Sequence, residues 1–469
     1  MGTDVHTADR PPAGPAIPPH FAGRPIVGAG IDLQRDFLGT LLTIAAGPSP
    51  VTKVVAGPPG WRREFYLTSH PDAVGPILSA PERWVKQTAT YEIVRRTLGN
   101  GMLTAEGDEW RRQRRFLAPV FTPRRIAGAY ADIIVDETSR LADRWDTTTG
   151  RTVDVHADMV ELTARIIGRI LFGADMTEAI RRITRVAFVN EALMRRGLVP
   201  HPLPLAVPTP GNRRVVAGLR EIRSVASDLI AERRRRYPSG RSTADDAQDM
   251  LSLLLNARDA ENPTDRLTDQ EVADQVLIFL LAGHETTAST LACGLVELAR
   301  SPHWQAVLHS ELDNIGYPPA SADLPRLVWT GRAVRESLRL YPAAHTLGRR
   351  ALADEILCGY AIPAGSDVLI SPWVLHRSPR IWPEPARFDP TRFDLPDGAL
   401  PGGSRHAWMP FGAGPHTCVG MQLAMTEAPL VLAGLLRRFE FTTELTSVPL
   451  TAAVSLRPSR PLPVSLRAR

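Results

Sequence analysis

The stretch PFGAGPHTCVGMQLA, residues 410–424, decides how this chain is read. Glycines at 412 and 414 and Pro415 break any regular element. Then Cys418 and Gly420 stand immediately before an apolar run that starts at Met421. Such a pattern is a tight loop that delivers a cysteine to a helix N-terminus. The unpaired amides and dipole of a first helical turn favour a thiolate, so a lowered thiol pKa is expected. Gly412, Gly414 and Gly420 let the backbone come close to a flat ligand. The other two cysteines lack this setting: Cys293 reads as core of a long helix, and Cys358 as strand or loop packing.

Phe411, Gly414, His416, Cys418 and Gly420 match F-x-x-G-x-(R/H)-x-C-x-G, and the segment resembles the cysteine-ligand loop of the cytochrome P450 family. The resemblance implies a mainly α fold with a small β region. It implies haem b between a long central helix and the cysteine-loop helix, with Cys418 as the metal ligand. A thiolate ligand pushes electron density that favours O–O cleavage.

The candidate central helix runs from 268 to 299, with Thr268 and Glu271 forming a capping box at its start. Its middle reads LLAGHETTAST (280–290). Gly283 in a helix interior costs about 1 kcal/mol relative to alanine. A threonine hydroxyl there can bond the preceding turn's carbonyl and distort the helix. The resemblance makes Glu285 and Thr286 the catalytic acid–alcohol pair that supplies protons, and it places Ala282 and Gly283 beside the cofactor.

Three further motifs follow the family's order. Glu336 and Arg339 sit at i and i+3 on a helix, and FDPTRF (388–393) supplies Arg392. By resemblance these three form a buried charge network behind the cysteine loop. Thr391 replaces the family's glutamate, which leaves the arginine in place. Trp110 and Arg114 share one helical face, and by resemblance they bind a haem propionate. Arg349 resembles the second propionate arginine, with adjacent Arg350 as the alternative donor. His416 is expected at the same carboxylates. The resemblance spans roughly residues 60–460.

The remaining elements are read from periodicity. Short helices are expected at 71–80, 302–315 and 325–340, and longer ones at 106–120, 123–146, 154–172 and 420–438. Strands are expected at 61–67 and within 345–371. The prolines of HPLPLAVPTPGN (201–212) exclude a helix there and separate helices of about 176–197 and 213–237; this long loop reads as a lid or as an irregular surface connection. Residues 1–20 are polar and Pro-rich, expected as a disordered lead, and 21–469 as a single domain.

The 469 residues are 43% hydrophobic and 22% charged, with a net charge of +5. No apolar run reaches the ~18 residues of a membrane span. No aromatic residues interleave with the arginine clusters, which argues against nucleic acid. Three cysteines and no apolar signal core fit a reducing cytoplasm. The family implies insertion of one oxygen atom from O2 into a small hydrophobic molecule of terpenoid, polyketide or fatty-acyl type. No flavin or nicotinamide segment is seen, so electrons are expected from a ferredoxin or flavodoxin with its reductase, docking near arginines 111–115. The alternatives are a peroxygenase or isomerase needing no external electrons, or a non-catalytic haem binder. His345 is the one polar residue expected near the pocket wall, or else facing solvent.

Overall fold

The computed structural model describes residues 15–147, 150–173, 176–186, 188–189, 192–193, 204–236, 249–256, 265–396 and 399–469. The expected lead over residues 1–14, and parts of the helix at 176–197 and the loop at 201–212, lie outside the described residues.

Seven helices are needed to place the site: α1 (Gly107–Leu117), α2 (Ala131–Asp146), α3 (Val155–Phe172), α4 (Pro210–Arg236), α5 (Asp269–Ala299), α6 (Val328–Leu340) and α7 (Met421–Leu436). Helix α5 is the axis of the fold. Both halves of its capping box form, with Glu271 N–H donating to Thr268 Oγ1 at 3.2 Å and Thr268 N–H to the Glu271 carboxylate at 2.6 Å. It is long and apolar enough to cross a membrane, but 72% of that window is buried inside the protein. Helices α3, α4, α6 and α7 all pack against it. Helix α3 starts at Asp154, whose carboxylate accepts from His156 N–H at 3.1 Å, and ends on Gly173 in the left-handed region.

The proline-rich loop ends earlier than expected. Pro210 opens α4, where its missing N–H would be unpaired anyway, and the Thr209 hydroxyl caps Asn212 N–H at 3.1 Å. The expected helix at 123–146 is broken by a π-type segment at Ile126–Tyr130, where Gly128 leaves helical geometry.

The main sheet has the order His20–Phe21, β1 (Val51–Ala56), β2 (Arg63–Thr68), β4 (Asp367–Ile370), β3 (Leu347–Ala351), Trp84–Val85. β3 and β4 are antiparallel, with Arg350 opposite Asp367 and Arg349 opposite Val368. Near the C-terminus a short hairpin, β5 (Leu450–Ala452) and β6 (Leu456–Pro458), packs on α5. Cys358 is exposed in the turn before Tyr360 with φ of 50°, so it is a turn residue and not packing.

Candidate functional site

The loop 410–420 is shaped by its glycines. Gly412 and Gly414 both have φ of 72°, a region other residues avoid. A Cβ at Gly414 would strike the Leu78 carbonyl, so this glycine permits close approach to the backbone there. Cys418 N–H donates to Phe411 O at 2.9 Å, closing the loop. Phe411 is partly buried against the main core. Gly420 caps α7, and a Cβ there would touch Cys418 Sγ at 3.9 Å.

Cys418 has exposed surface although protein surrounds it, which places its sulfur on an interior cavity. The expected amides are present: the N–H groups of Gly420 and Met421, with Arg114, favour the thiolate. Burial outweighs them and pushes the free thiol above its ordinary value, correcting the expected net lowering. A positive metal centre would reverse that balance. Cys293 is fully buried and its thiol is pushed up further.

A group of cations stands beside this sulfur. His416 stacks on Trp110 with ring centroids 4.2 Å apart, and the Arg114 guanidinium lies 5.5 Å from the Trp110 ring centre. Burial pushes the His416 imidazole down to about 3, and Lys86, Arg349 and Arg114 all push in the same direction. Lys86 is itself 3% exposed and is held down at about 7, first by burial and then by Arg349, with Glu106 opposing. Arg349 is buried and donates to Gly348 O at 2.8 Å and Tyr91 Oη at 3.4 Å. Arg114 Nη1 is buried without a hydrogen-bond partner. Among the described residues none of Lys86, Arg114 and Arg349 forms an ion pair. Uncompensated buried cations are costly. The cluster therefore suits an anionic ligand, and two carboxylates match its donor set.

Strand alternation separates Arg349 from Arg350. Arg350 turns to the other face and pairs bidentately with Asp367, at 2.7 and 3.0 Å. The sequence alone does not single out Lys86, because nothing in RWVKQT marks a buried lysine.

Behind the loop, Glu336 and Arg339 are fully buried and pair bidentately, both bonds 2.7 Å. Arg339 also donates to the carbonyls of His376, Pro385 and Arg387. Arg392 Nε lies 3.4 Å from Glu336 Oε1, and Asp389 N–H donates to the same oxygen at 2.9 Å. His376 connects this network to the cysteine loop. Its Nε2 accepts from Met409 N–H at 2.9 Å, so Nδ1 carries the proton and donates to Arg339 O at 3.1 Å. Burial, and then Arg339, pushes His376 down to about 3. Sequence reading missed His376, which lies 37 residues from Arg339 and 33 from Met409.

On α5, Ala282 is exposed although Leu280 and His284 on either side are buried, so the helix bares its small residues to a cavity there. Thr286 Oγ1 donates to Ala282 O at 2.7 Å, the expected bond to the preceding turn. Glu285 pairs with Arg457 at 3.2 Å. Gly283, expected beside the cofactor, packs closely on α3: a Cβ would lie 2.7 Å from Ile167 Cγ1. Thr163 of α3 donates to the His284 carbonyl at 3.0 Å, so a second helix bonds this turn of α5.

Two other expectations are corrected. His345 is buried and its Nε2 lies 3.0 Å from Ala453 O, so it faces neither the pocket nor solvent. The arginines at 111–115 do not form one docking face. Arg112 clasps Asp265 and Glu271, Arg111 pairs with Asp108 at 2.5 Å, and Arg114 points inward.

A family model described as Cytochrome P450 matches residues 18–464. The chain is 36% identical to a cyclooctat-9-en-7-ol 5-monooxygenase of Streptomyces melanosporofaciens, over 88% of this chain and 87% of that one. It is 36% identical to a cyclooctatin synthase of the same organism, over 89% and 88%. It is 33% identical to a pentalenene oxygenase of Streptomyces avermitilis, over 90% of each chain.

Proposed function

Since the chain belongs to the cytochrome P450 family and is a monooxygenase of hydrophobic molecules that uses O2, redox partners and a cysteine-ligated haem, we propose that Cys418 would hold haem b through its thiolate and that the substrate is a terpenoid. The cation cluster carries this reading: Lys86, Arg114, Arg349, His416 and Trp110 converge beside Cys418 without a carboxylate partner of their own. Lys86, Arg114 and Arg349 hold the two propionates. The terpenoid assignment rests on the relatives' named activities.

Bound haem supplies the reductive activation of O2 and the transfer of one oxygen atom to carbon. The chain's own residues do the rest. Gly420 and Met421 amides with Arg114 hold charge on Cys418 Sγ. Ala282 leaves the central helix low where the cofactor and small ligands need room. Glu285 relays a proton and Thr286 Oγ1 presents it to the cavity. Glu336, Arg339, Arg392 and His376 fix the loop. Electrons arrive from a ferredoxin or flavodoxin with its reductase, in the cytoplasm, and residues 21–469 act as one catalytic domain.

The test is a reduced carbon monoxide difference spectrum of the purified protein. A red-shifted Soret band, lost in Cys418→Ser, is the expected result. A colourless protein after expression with ample haem, or a Cys418→Ser spectrum unchanged from wild type, contradicts the reading. Product analysis with terpene hydrocarbons, NADPH and a surrogate ferredoxin system then tests the substrate class. Product with peroxide and none with the reductase would favour the peroxygenase alternative.

A further inference from the structure

Glu285 is addressed from two sides by groups outside the motifs quoted from the sequence. Arg457, on β6, lies 3.2 Å from its Oε1, with both side chains partly exposed. The hairpin that carries Arg457 is itself fixed: Leu456 N–H donates to Ala343 O at 2.8 Å, and His345 meets Ala453 O at 3.0 Å. From the other side, the first turn of α3 brings His156 close enough to feel Glu285 and Arg457 as well as Asp154. His284, the neighbour on α5, is turned to its own helix and bonds Leu280 O. The Thr286 hydroxyl is engaged with Ala282 O. A partly exposed ion pair of this kind adds little to stability. Its effect is on where the carboxylate points.

We propose that Arg457 is a positioning residue for proton delivery, holding the Glu285 carboxylate toward the first turn of α3 so that protons enter from solvent through His156. This rests on reading Glu285 as the acid. The proton balance closes. His156, partly exposed, takes a proton from solvent and passes it to Glu285. Glu285 passes a proton to Thr286 Oγ1 as the threonine's own proton leaves into the cavity. Each group returns to its starting charge.

Two readouts test this on the intact holoenzyme. The first is histidine NMR titration, with His156 assigned by the loss of its signal in His156→Asn. Arg457→Gln removes a cation beside His156 and should raise its titration point; Glu285→Gln removes an anion and should lower it. The second is coupling, the product formed per NADPH consumed with a surrogate ferredoxin system and the first terpene that shifts the wild-type Soret band. Arg457→Gln should lower coupling about tenfold, the scale of a misplaced catalytic group, with hydrogen peroxide rising, and Arg457→Lys should restore most of it. A merely structural arginine would change thermal stability and leave coupling unmoved. If Arg457→Gln keeps wild-type coupling and an unshifted His156 while Glu285→Gln uncouples, the inference is overturned. If Glu285→Gln stays fully coupled, the acid reading itself fails.

Discussion

Arg339 and Arg114 both serve the loop around Cys418, and they are built in contrary ways. Arg339 has no exposed surface and commits its donors to Glu336 and three carbonyls. Arg114 is half-buried over Trp110 with its Nη1 buried and unpartnered, in a group with Lys86, Arg349 and His416 in which no cation forms an ion pair among the described residues, although Glu106 lies near Lys86. A fully satisfied buried charge holds shape. A buried cation left without an anion is unfavourable by itself and becomes favourable only when a ligand arrives. On the proposed reading, the first cluster serves folding and the second serves binding.

The largest expected effect comes from breaking the satisfied side. Glu336→Gln leaves Arg339 and Arg392 buried without their carboxylate, a change that typically costs about 3–5 kcal/mol. Against a total stability on the order of 5–15 kcal/mol, little folded, haem-loaded protein should be recovered. Circular dichroism melts and the ratio of haem to protein absorbance measure both losses. A fully loaded Glu336→Gln with an unchanged melt would erase the contrast between the two clusters.

Acid stability sharpens the same contrast. His376 is held neutral, down at about 3 in the fold, whereas an unfolded histidine titrates near ~6.5. The unfolded state therefore binds the extra proton first. The stability is fully present above about 6.5 and is lost as pH falls toward about 3. His376→Gln keeps a donor and an acceptor for Arg339 and Met409. It should flatten part of the loss between those limits in urea melts run at several pH values, while its stability at pH 8 changes less.

A smaller effect tests α3 against α5. Gly283→Ala places a methyl 2.7 Å from Ile167 Cγ1. Overpacking of this kind costs about 1–3 kcal/mol, and it should lower Tm while leaving the carbon monoxide spectrum intact. Ile167→Val beside it should recover part of the loss.

What was legible in the sequence was local. The cysteine loop, the capping box at Thr268 and Glu271, and the Glu336–Arg339 pair each lie within a few residues, so spacing alone reports them. The Thr286 hydroxyl bond was also readable, because it goes one turn back along its own helix, although α5 runs through it as an unbroken helix. Lys86, His376, Arg457 and Thr163 were not, since each acts on a partner tens to hundreds of residues away and carries no local pattern. Arg349 and Arg350 could have been separated from sequence, because strand residues alternate in face. That required knowing Asp367 lies opposite Arg350 in β4. Gly283 was legible only in part, because a helix glycine has several uses, and only the position of Ile167 shows that close helix packing is one of them here.

The unpaired cations Lys86, Arg114 and Arg349 are the proposed seat of the cofactor's carboxylates. The rate of haem transfer from Arg114→Gln to an excess of apo-globin reads this directly. Transfer about tenfold or more faster than from wild type, as expected for losing a charged hydrogen bond of about 1.5–3 kcal/mol, with the fold's circular dichroism unchanged, is the predicted result. Haem held as tightly as in wild type would contradict it.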